Sequence, residues 1–331
     1  MKRVKRLFAC LLALTMMLGL SATAFAAETV GKVQKPADGR TVTFEKEYKL
    51  VGEGISPAET FEFNIAPAGV ENGGVDAEEQ HMPTVGTAAY AQNGATTAGA
   101  KKAVTVTLPA YTSVGVYSYT ITEKTGTTAG VAYDSKSVTM KVTVVNNNNG
   151  GFEIAAVSFT KDGKKLADNE VAFNNTYTAN KLSISKTVAG NLGDKSKYFD
   201  FTVTLTGKEG KTYTLPATIT GGSDGSGKEE NVVISGTTTF KLKHGDTITI
   251  ENLPEGVSYK VEEATPSDYT MNATGQKGTM DAEAKTAAFT NTKTGDIDTG
   301  VYLDNLPYIL VFAGVLAIAA VFIVRRRRFE D

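Results

Sequence analysis

Short runs of alternating apolar and polar residues occupy most of the chain between residues 41 and 291. Within each run, Val, Thr, Tyr, Phe or Ile recurs at every second position, which is typical of half-buried β-strands. The runs predict strands at residues 41–51, 60–66, 103–108, 114–123, 137–145, 152–160, 182–188, 199–205, 231–242, 247–251, 258–263 and 286–291. Because no long 3.6-residue period occurs among them, the fold is predicted to be all-β.

The predicted strands form two groups, and the alternation pauses between them near residue 179. A domain usually has about 100 to 200 residues, so each group is long enough for its own core. We therefore predict two tandem β-sandwich domains, at residues 27–178 and 179–295. Two stretches with few large apolar residues, 69–100 and 221–230, are predicted to be surface loops.

Both ends of the chain have the pattern of processing signals. Residues 1–26 contain basic residues, an apolar run and an Ala-Phe-Ala ending, as a secretory signal peptide does. Residues 296–331 contain an apolar span at 308–324 and an arginine-rich tail at 325–328, which favours a cytoplasmic end. A permanent single-pass anchor is one interpretation. Transient retention in the membrane fits better, because the span is shorter than about 20 residues.

Charge and composition narrow the functional classes. The chain has 34 basic and 36 acidic residues; without the eight basic and three acidic residues of 1–26 and 300–331, residues 27–299 keep 26 and 33, a net charge of −7. This disfavours nucleic-acid binding. The single cysteine, Cys10, lies in the signal peptide, so the exported part has no disulfide. The two histidines, His81 and His244, lie in no ligand-spaced cluster, so we predict no metal, no cofactor and no turnover site.

The two halves repeat three polar residues in the same order. In each half a lysine precedes a glutamate by 77 residues, and an asparagine follows near the end of the half. The repeated residues are Lys46, Glu123 and Asn175 in the first half and Lys186, Glu263 and Asn291 in the second. The equal spacing indicates distant internal repeats.

Parity along the strands places all six of these residues on the apolar face. Successive side chains of a strand point to opposite faces, and Lys46 shares its face with Phe44 and Tyr48. By the same parity Asn175 points inward, whereas its neighbour Asn174 points to solvent. An isolated buried charge costs several kcal/mol. The lysine, glutamate and asparagine of each half are therefore predicted to meet in the core.

Such a triad has reactive chemistry. Desolvation lowers the pKa of the lysine and raises that of the glutamate, so the pair can exchange a proton and become neutral. The amine can then attack the asparagine carbonyl, while the carboxylic acid hydrogen-bonds to the carbonyl oxygen and relays protons to the leaving ammonia. The product is an amide cross-link, formed once per site, so the chain is not a turnover enzyme. The alternative is an ordinary buried salt bridge beside a hydrogen-bonded asparagine; the duplication favours the reaction.

Several motifs together resemble a known family. They are Val42-Thr43-Phe44-Glu45-Lys46, Thr120-Ile121-Thr122-Glu123, Phe173-Asn174-Asn175, Ile184-Ser185-Lys186, Asn252-Leu253-Pro254-Glu255-Gly256-Val257-Ser258-Tyr259, Glu262-Glu263 and Phe289-Thr290-Asn291. In these motifs the chain resembles the isopeptide-forming major pilins of Gram-positive bacteria, of the two-domain FctA type. Their CnaB-like domains have a reversed immunoglobulin-like topology.

The resemblance implies a structural subunit of a covalently polymerised, cell-wall-anchored pilus. Its implied partners are identical pilin subunits, a sortase transpeptidase, peptidoglycan, minor pilins and a host surface. The implied cross-links are Lys46–Asn175 and Lys186–Asn291, with Glu123 and Glu263 as the acid/base groups. Asn174 is the rival of Asn175, but parity places it on the solvent face.

The C-terminal segment resembles a sortase sorting signal. Thr299 and Gly300 precede the apolar span and the arginines, although the usual Leu-Pro pair is missing before Asp298. The resemblance implies cleavage after Thr299 and transfer of its carbonyl to a lysine that lies shortly before the Asn175 strand. The acceptor implied by a Gly-x-Lys pattern is Lys165, with Lys164 and Lys161 as alternatives, and all three also fit as ordinary turn lysines.

Two rival functions follow from the same sequence. The first is a monomeric wall-anchored adhesin that uses the β-domains as a stalk. The second is a secreted enzyme, which needs a polar cleft of catalytic residues that the sequence does not offer. All three interpretations place the protein outside the cell.

Overall fold

The computed structural model describes residues 33–73, 81–167, 170–210, 213–215, 219–223, 232–296 and 306–327. The predicted signal peptide, the sorting residues Thr299 and Gly300 and most of the segment 221–230 lie outside the described residues. Strands dominate the described part, so the prediction of a β-rich fold is confirmed.

The strands of the first half largely follow the predicted runs. They are β1 (Thr41–Gly52), β2 (Glu59–Phe61), β3 (Phe63–Glu71), β4 (Thr84–Val85), β5 (Ala88–Tyr90), β6 (Ala100–Thr107), β7 (Gly115–Glu123), β8 (Val131–Ala132), β9 (Ser137–Asn146), β10 (Phe152–Lys161), β11 (Lys164–Lys165) and β12 (Val171–Ala189).

The second half continues in the same style. Its strands are β13 (Phe199–Thr206), β14 (Tyr213–Leu215), β15 (Ile219–Gly221), β16 (Val232–Ile234), β17 (Gly236–Leu242), β18 (Thr247–Pro254), β19 (Ser258–Ala264), β20 (Thr270–Thr274), β21 (Lys277–Thr279) and β22 (Lys285–Thr292). A 3₁₀ turn (Lys208–Gly210) and the helix α1 (Leu306–Arg327) complete the described elements.

The first core lies between two sheets. One sheet contains β12, β1, β6 and β4 in that order, and the other contains β11, β10, β9, β7 and β3. Inward side chains from both sheets are almost fully buried, among them Phe44, Val104, Tyr119, Met140 and Phe173. The alternation seen in the sequence therefore corresponds to one face of each sheet packed on the core and one face toward solvent.

The second core repeats this arrangement on the other end of β12. There β12 pairs with β18 and β22, and the facing sheet has the order β17, β13, β19 and β21. The core residues include Ile184, Phe201, Leu242, Val261 and Phe289.

Strand β12 joins the two halves without a break. It continues through residue 179, near which the alternation pauses in the sequence. The side chains there are buried, with Thr178 7% and Asn180 4% exposed. The Nδ2 group of Asn180 donates to the carbonyl oxygen of Ala282 at 2.6 Å. The buried side-chain amide of Asn180 therefore has a hydrogen-bond partner inside the joint between the halves.

Two predicted strands are each divided in the structure. The run 60–66 breaks at Glu62, after which the chain passes from β2, paired with β5, to β3, paired with β7. The run 231–242 breaks at Ser235, which has φ of 70° and donates its N–H to the carbonyl oxygen of Leu205 at 2.8 Å. Period-two patterns do not reveal where a strand changes sheet.

The prediction that 69–100 is a surface loop was wrong for much of the segment. It contains β4 and β5, and His81, Ala88 and Tyr90 are buried. The hydroxyl of Tyr90 donates to the carbonyl oxygen of Lys46 at 2.8 Å. Its apolar runs are only two or three residues long, too short to show a period, yet they cover one end of the first core.

The C-terminal apolar segment forms helix α1, whose residues 307–319 are solvent exposed. Within the part of the chain that the structure describes, no helix meets the length and hydropathy needed to cross a membrane.

Candidate cross-linking sites

The first site lies where β1, β12 and β7 meet. Lys46 on β1 stands opposite Phe173 of the parallel neighbour β12, so Asn175 comes two residues further along the same face. Glu123 reaches the pair from the end of β7 in the facing sheet. Lys46 and Asn175 are 0% exposed and Glu123 is 7% exposed. The structure therefore brings the three predicted residues together in the core.

The carboxylate of Glu123 bridges the amine and the amide. Its Oε2 atom lies 3.0 Å from Nζ of Lys46, and its Oε1 atom accepts a hydrogen bond from Nδ2 of Asn175. The carbonyl oxygen of Asn175 accepts instead the backbone N–H of Asp134 at 2.9 Å. The structure differs here from the hypothesis that the acid contacts the carbonyl oxygen. Glu123 is placed on the nitrogen that would leave as ammonia.

Burial disfavours the charged forms of Lys46 and Glu123. It lowers the pKa of Lys46 to about 8, against the opposing effect of Glu123. It also raises the pKa of Glu123, against the opposing effect of Lys46. The ring of Phe61 lies 4.3 Å from Nζ of Lys46. Both shifts reduce the cost of moving the proton from the amine to the carboxylate, which leaves a nucleophilic amine and an acid.

The second site repeats this geometry at the other end of β12. Lys186 stands opposite Phe289 of the parallel neighbour β22, and Asn291 follows two residues later. Glu263 comes from β19 of the facing sheet, and its Oε2 atom accepts a bond from Nζ of Lys186 at 2.7 Å. Its Oε1 atom accepts Nδ2 of Asn291. The side chains of Lys186 and Glu263 are both 0% exposed.

The surroundings of the second site are more open to solvent. Burial lowers the pKa of Lys186, opposed by its bond to Glu263. The Phe199 ring lies 4.2 Å from Nζ of Lys186. The hydroxyl of Thr265 donates to Oε1 of Glu263 at 3.2 Å. A cavity of about 210 Å³ reaches this carboxylate; it is lined by Lys260, Val261, Glu262, Glu263, Met271, Gln276, Lys277 and Phe289.

Comparison with known proteins identifies the family. Residues 42–178 match a family model described as the Spy0128-like isopeptide containing domain (FctA), and residues 180–293 match a domain family of unknown function (DUF7601). A pilin of Streptococcus pyogenes serotype M1 is 31% identical over 238 residues, which cover 64% of this chain and 68% of that pilin. The chain belongs to the major pilin family of Gram-positive bacteria. This pilin is a structural subunit of a pilus.

Two further relatives agree with this assignment. The crystal structure of the major pilin from Streptococcus pyogenes superposes with a TM-score of 0.51 at 26% identity, covering 78% of this pilin and 99% of that chain. The pilus tip adhesin Cpa of Streptococcus pyogenes is 35% identical over 132 residues, which are 38% of this pilin and 18% of the adhesin. The first similarity covers both halves of the fold, whereas the second covers a small part of the adhesin.

The sequence pattern did not predict some residues of the two sites of this pilin. Phe61 and Phe199 lie under the two lysines, and the repeated Phe-Glu-Phe and Phe-Asp-Phe phrases could have indicated them. Asp134 lies 41 residues before Asn175, between β8 and β9, where no period fixes its position. Thr265 follows Glu263 by two residues, but nothing in the sequence showed that its hydroxyl turns back to the carboxylate.

The three candidate acceptor lysines have different surroundings. Lys161, the last residue of β10, donates to the carboxylate of Asp134 at 2.8 Å and to the carbonyl oxygen of Ala172 at 2.6 Å. Its side chain is only 16% exposed. Lys164 and Lys165 form β11 at the sheet edge; Lys164 is exposed and Lys165 is half-buried.

The two histidines have structural hydrogen bonds. Nε2 of His81 accepts the N–H of Thr112 at 3.2 Å, and Nδ1 of His244 accepts the N–H of Val188 at 3.0 Å. Among the residues with a described placement, no group of three or more His, Cys, Asp or Glu side chains is arranged to hold a metal ion.

Proposed function

We propose that this pilin is the backbone subunit of a covalently polymerised surface pilus and that it forms two internal amide cross-links by itself, Lys46–Asn175 and Lys186–Asn291. The observation that carries the proposal is the duplicated buried triad. In both halves the lysine and asparagine lie on parallel neighbouring strands in the same register, and a glutamate of the facing sheet contacts both. A single salt bridge needs no such repetition.

The proposed reaction is a transamidation that needs no cofactor. The proton of the Lys46 ammonium passes to Glu123, and the free amine adds to the side-chain carbonyl carbon of Asn175. As the carbon–Nδ2 bond breaks, the protonated Glu123 gives its proton to the leaving nitrogen. Ammonia departs, and the carboxylate takes the surplus proton from the new amide nitrogen and passes it on. Lys186, Glu263 and Asn291 react in the same way, so each site acts once.

Assembly is proposed to use the two ends of the chain. Residues 1–26 would direct export, and the apolar span at 308–324 with its arginine tail would hold the pilin briefly in the membrane. A sortase would cleave between Thr299 and Gly300 and join the Thr299 carbonyl to a lysine amine of the next subunit. Lys165 and Lys164 suit this role better than Lys161, whose amine is engaged by Asp134. The base of the pilus would be linked to cell-wall peptidoglycan.

Peptide mapping tests the internal cross-links. Protease digestion of the purified pilin should release two linked peptide pairs, each lighter by one ammonia than the sum of its parts. Glu123→Ala should abolish only the Lys46–Asn175 pair, and Glu263→Ala only the Lys186–Asn291 pair. Glu262→Ala is the control, because its side chain is 56% exposed on the opposite face of β19. Unlinked peptides from the unmodified pilin would contradict the proposal.

The similarity to the tip adhesin Cpa supports a second candidate, a wall-anchored adhesin in which the same domains form a stalk. Immunoblots of cell-wall extracts separate the two. A backbone subunit gives a ladder of covalent multimers, which the double substitution of Lys164 and Lys165 by Ala should collapse to a single band. A monomeric adhesin gives that single band without any substitution.

A further inference from the structure

Asp134 connects the first cross-linking site to Lys161. Its backbone N–H donates to Oδ1 of Asn175 at 2.9 Å. Its carboxylate accepts three hydrogen bonds, from Nζ of Lys161 at 2.8 Å, from the N–H of Asn174 at 3.0 Å and from the N–H of Lys136 at 2.9 Å. The side chain of Asp134 is 9% exposed. The turn that carries the N–H is therefore fixed to β12 and β10.

The Asp134 N–H points at the atom that gains charge in the proposed reaction. When an amine adds to the carbonyl of Asn175, the carbon–oxygen double bond opens and Oδ1 becomes negative. A fixed backbone N–H at about 2.7 to 3.1 Å from such an oxygen is the usual arrangement of an oxyanion hole. Glu123 contacts Nδ2 on the other side of the same amide. The Asp134 N–H therefore contacts the oxygen that becomes negative, and Glu123 contacts the nitrogen that leaves.

Lys161 holds Asp134 in this position. Besides its bond to the carboxylate, its ammonium donates to the carbonyl oxygen of Ala172 and lies 5.6 Å from the ring of Phe173. Both of these residues belong to β12, the strand of Asn175. A charge-assisted bond between an ammonium and a carboxylate of low exposure restricts both partners.

We propose that the backbone N–H of Asp134 is the oxyanion donor for the Lys46–Asn175 cross-link and that Lys161 is its positioning residue. This inference rests on the proposed function. It gives Lys161 a role inside the subunit. The second site lacks the same device, because Oδ1 of Asn291 has no hydrogen-bond partner among the described residues.

The test follows the rate of each cross-link separately. The pilin is made by cell-free synthesis, captured unlinked in acidic denaturant, refolded, and digested at intervals to quantify both linked peptide pairs. Lys161→Met removes the ammonium and keeps the aliphatic stem. It should slow the Lys46–Asn175 link by about 10- to 100-fold, the range expected when a hydrogen bond between charged groups is lost. The Lys186–Asn291 link should form at its normal rate in the same molecules.

Two variants distinguish positioning from a general loss of structure. Lys161→Arg keeps the charge and should restore the rate to within a few-fold. Lys141→Met is the matched control, since that ammonium pairs at 2.9 Å with Glu71 on the surface, and it should change neither rate. Circular dichroism establishes that each variant is folded.

A pH profile separates the effect of the Asp134 charge from the effect of its N–H on the rate. The Asp134 carboxylate raises the pKa of both Lys46 and Glu123, so Asp134→Asn should shift the pH range of the first cross-link toward acid. A normal first-site rate in Lys161→Met overturns the inference; if Lys161→Met does not fold, a normal first-site rate in Asp134→Asn at its own optimal pH overturns it instead, because that variant also loses the charged partner of Lys161. Absence of both links from the unmodified pilin overturns the proposed function itself.

Discussion

The two cross-linking sites share their strand register but differ in which reacting group receives an additional hydrogen bond from the protein. At the first site the carbonyl oxygen of Asn175 is bonded to the N–H of Asp134. At the second site the carbonyl oxygen of Asn291 has no hydrogen-bond partner in the described part of the chain, whereas Glu263 receives an additional bond from Thr265. The first half thus has an extra hydrogen bond to the asparagine carbonyl, and the second half has an extra hydrogen bond to the glutamate.

This difference separates what the reaction requires from what each half adds. The common parts are a buried lysine, a bridging glutamate, an asparagine two residues beyond the paired position, and an aromatic ring under the amine. The lysine and the asparagine come together through the register of two parallel strands, which is the same in both halves, and the glutamate comes from the facing sheet. The additions come from loops, which vary between repeats more readily than strands do. We therefore expect both sites to react, with rates that respond to different substitutions.

The largest expected effect is the loss of one cross-link. Lys46 and Asn175 are 129 residues apart and Lys186 and Asn291 are 105 residues apart. Chain-entropy arguments for closed loops of this size give about 5 kcal/mol of stabilisation for each. Asn175→Ala and Asn291→Ala should each lower the free energy of unfolding of their own half by about that amount. Hydrogen exchange in urea, read peptide by peptide, reports the two halves separately.

Asn174→Ala is the control for this comparison, because Asn174 is exposed and should shift stability by less than about 0.5 kcal/mol. Equal destabilisation of both halves by Asn291→Ala would instead indicate that the continuous strand β12 makes them one cooperative unit.

The second largest expected effect is the pH dependence of the rate at which each cross-link forms. The reactive state consists of neutral Lys46 and protonated Glu123. It has the same total number of protons as the ion pair, so both states are populated over the same pH range, between the pKa of Glu123 and the pKa of Lys46. Below the raised pKa of Glu123, Lys46 stays an ammonium; above about 8, the pKa of Lys46, Glu123 loses the proton that the leaving group needs. The rate should fall about tenfold per pH unit outside this range.

The same digests give the profile of the second site. Burial lowers the pKa of Lys186, so its link should also slow on the alkaline side, starting below the ordinary lysine value of 10.5. A first-site rate that keeps rising from pH 8 to pH 10 would show that deprotonation of the amine alone limits the reaction. Glu123 would then have no role as an acid.

The joint between the halves offers a smaller effect. Asn252 has φ of 59°, and its Oδ1 atom accepts the N–H of Ile55 at 3.0 Å and the hydroxyl of Tyr177 at 3.2 Å. Asn252→Ala should cost about 2 to 3 kcal/mol, from the lost bonds and from a left-handed backbone that alanine tolerates poorly. Asn252→Gly should cost about 1 kcal/mol less, since glycine adopts this conformation readily. Hydrogen exchange of the peptides around Ile55 measures the stability loss in both variants. Equal stability losses would show that the left-handed backbone of Asn252 does not contribute to the cost of the alanine substitution.

The sequence predicts the six triad residues and their pairing, because charged residues on an apolar face break a regular pattern and must meet. It does not predict Asp134, since a residue in a turn has no period and its contact to Asn175 depends on how β8 and β9 are arranged. Nor does it predict that β12 is continuous. Thr178 and Asn180 look like turn residues until the neighbouring segment supplies their partners.

The smallest expected effect compares two threonines at matched positions. Thr265 follows Glu263 by two residues and donates to its Oε1 atom, whereas Thr125 follows Glu123 by two residues and is exposed to solvent. A neutral hydrogen bond contributes about 1 kcal/mol, so Thr265→Val should slow the second cross-link about fivefold. Thr125→Val should leave the first cross-link unchanged. Slowing by both substitutions would mean that the carboxylate is held in the same way at the two sites, and that the contrast between them lies in the asparagine carbonyl alone.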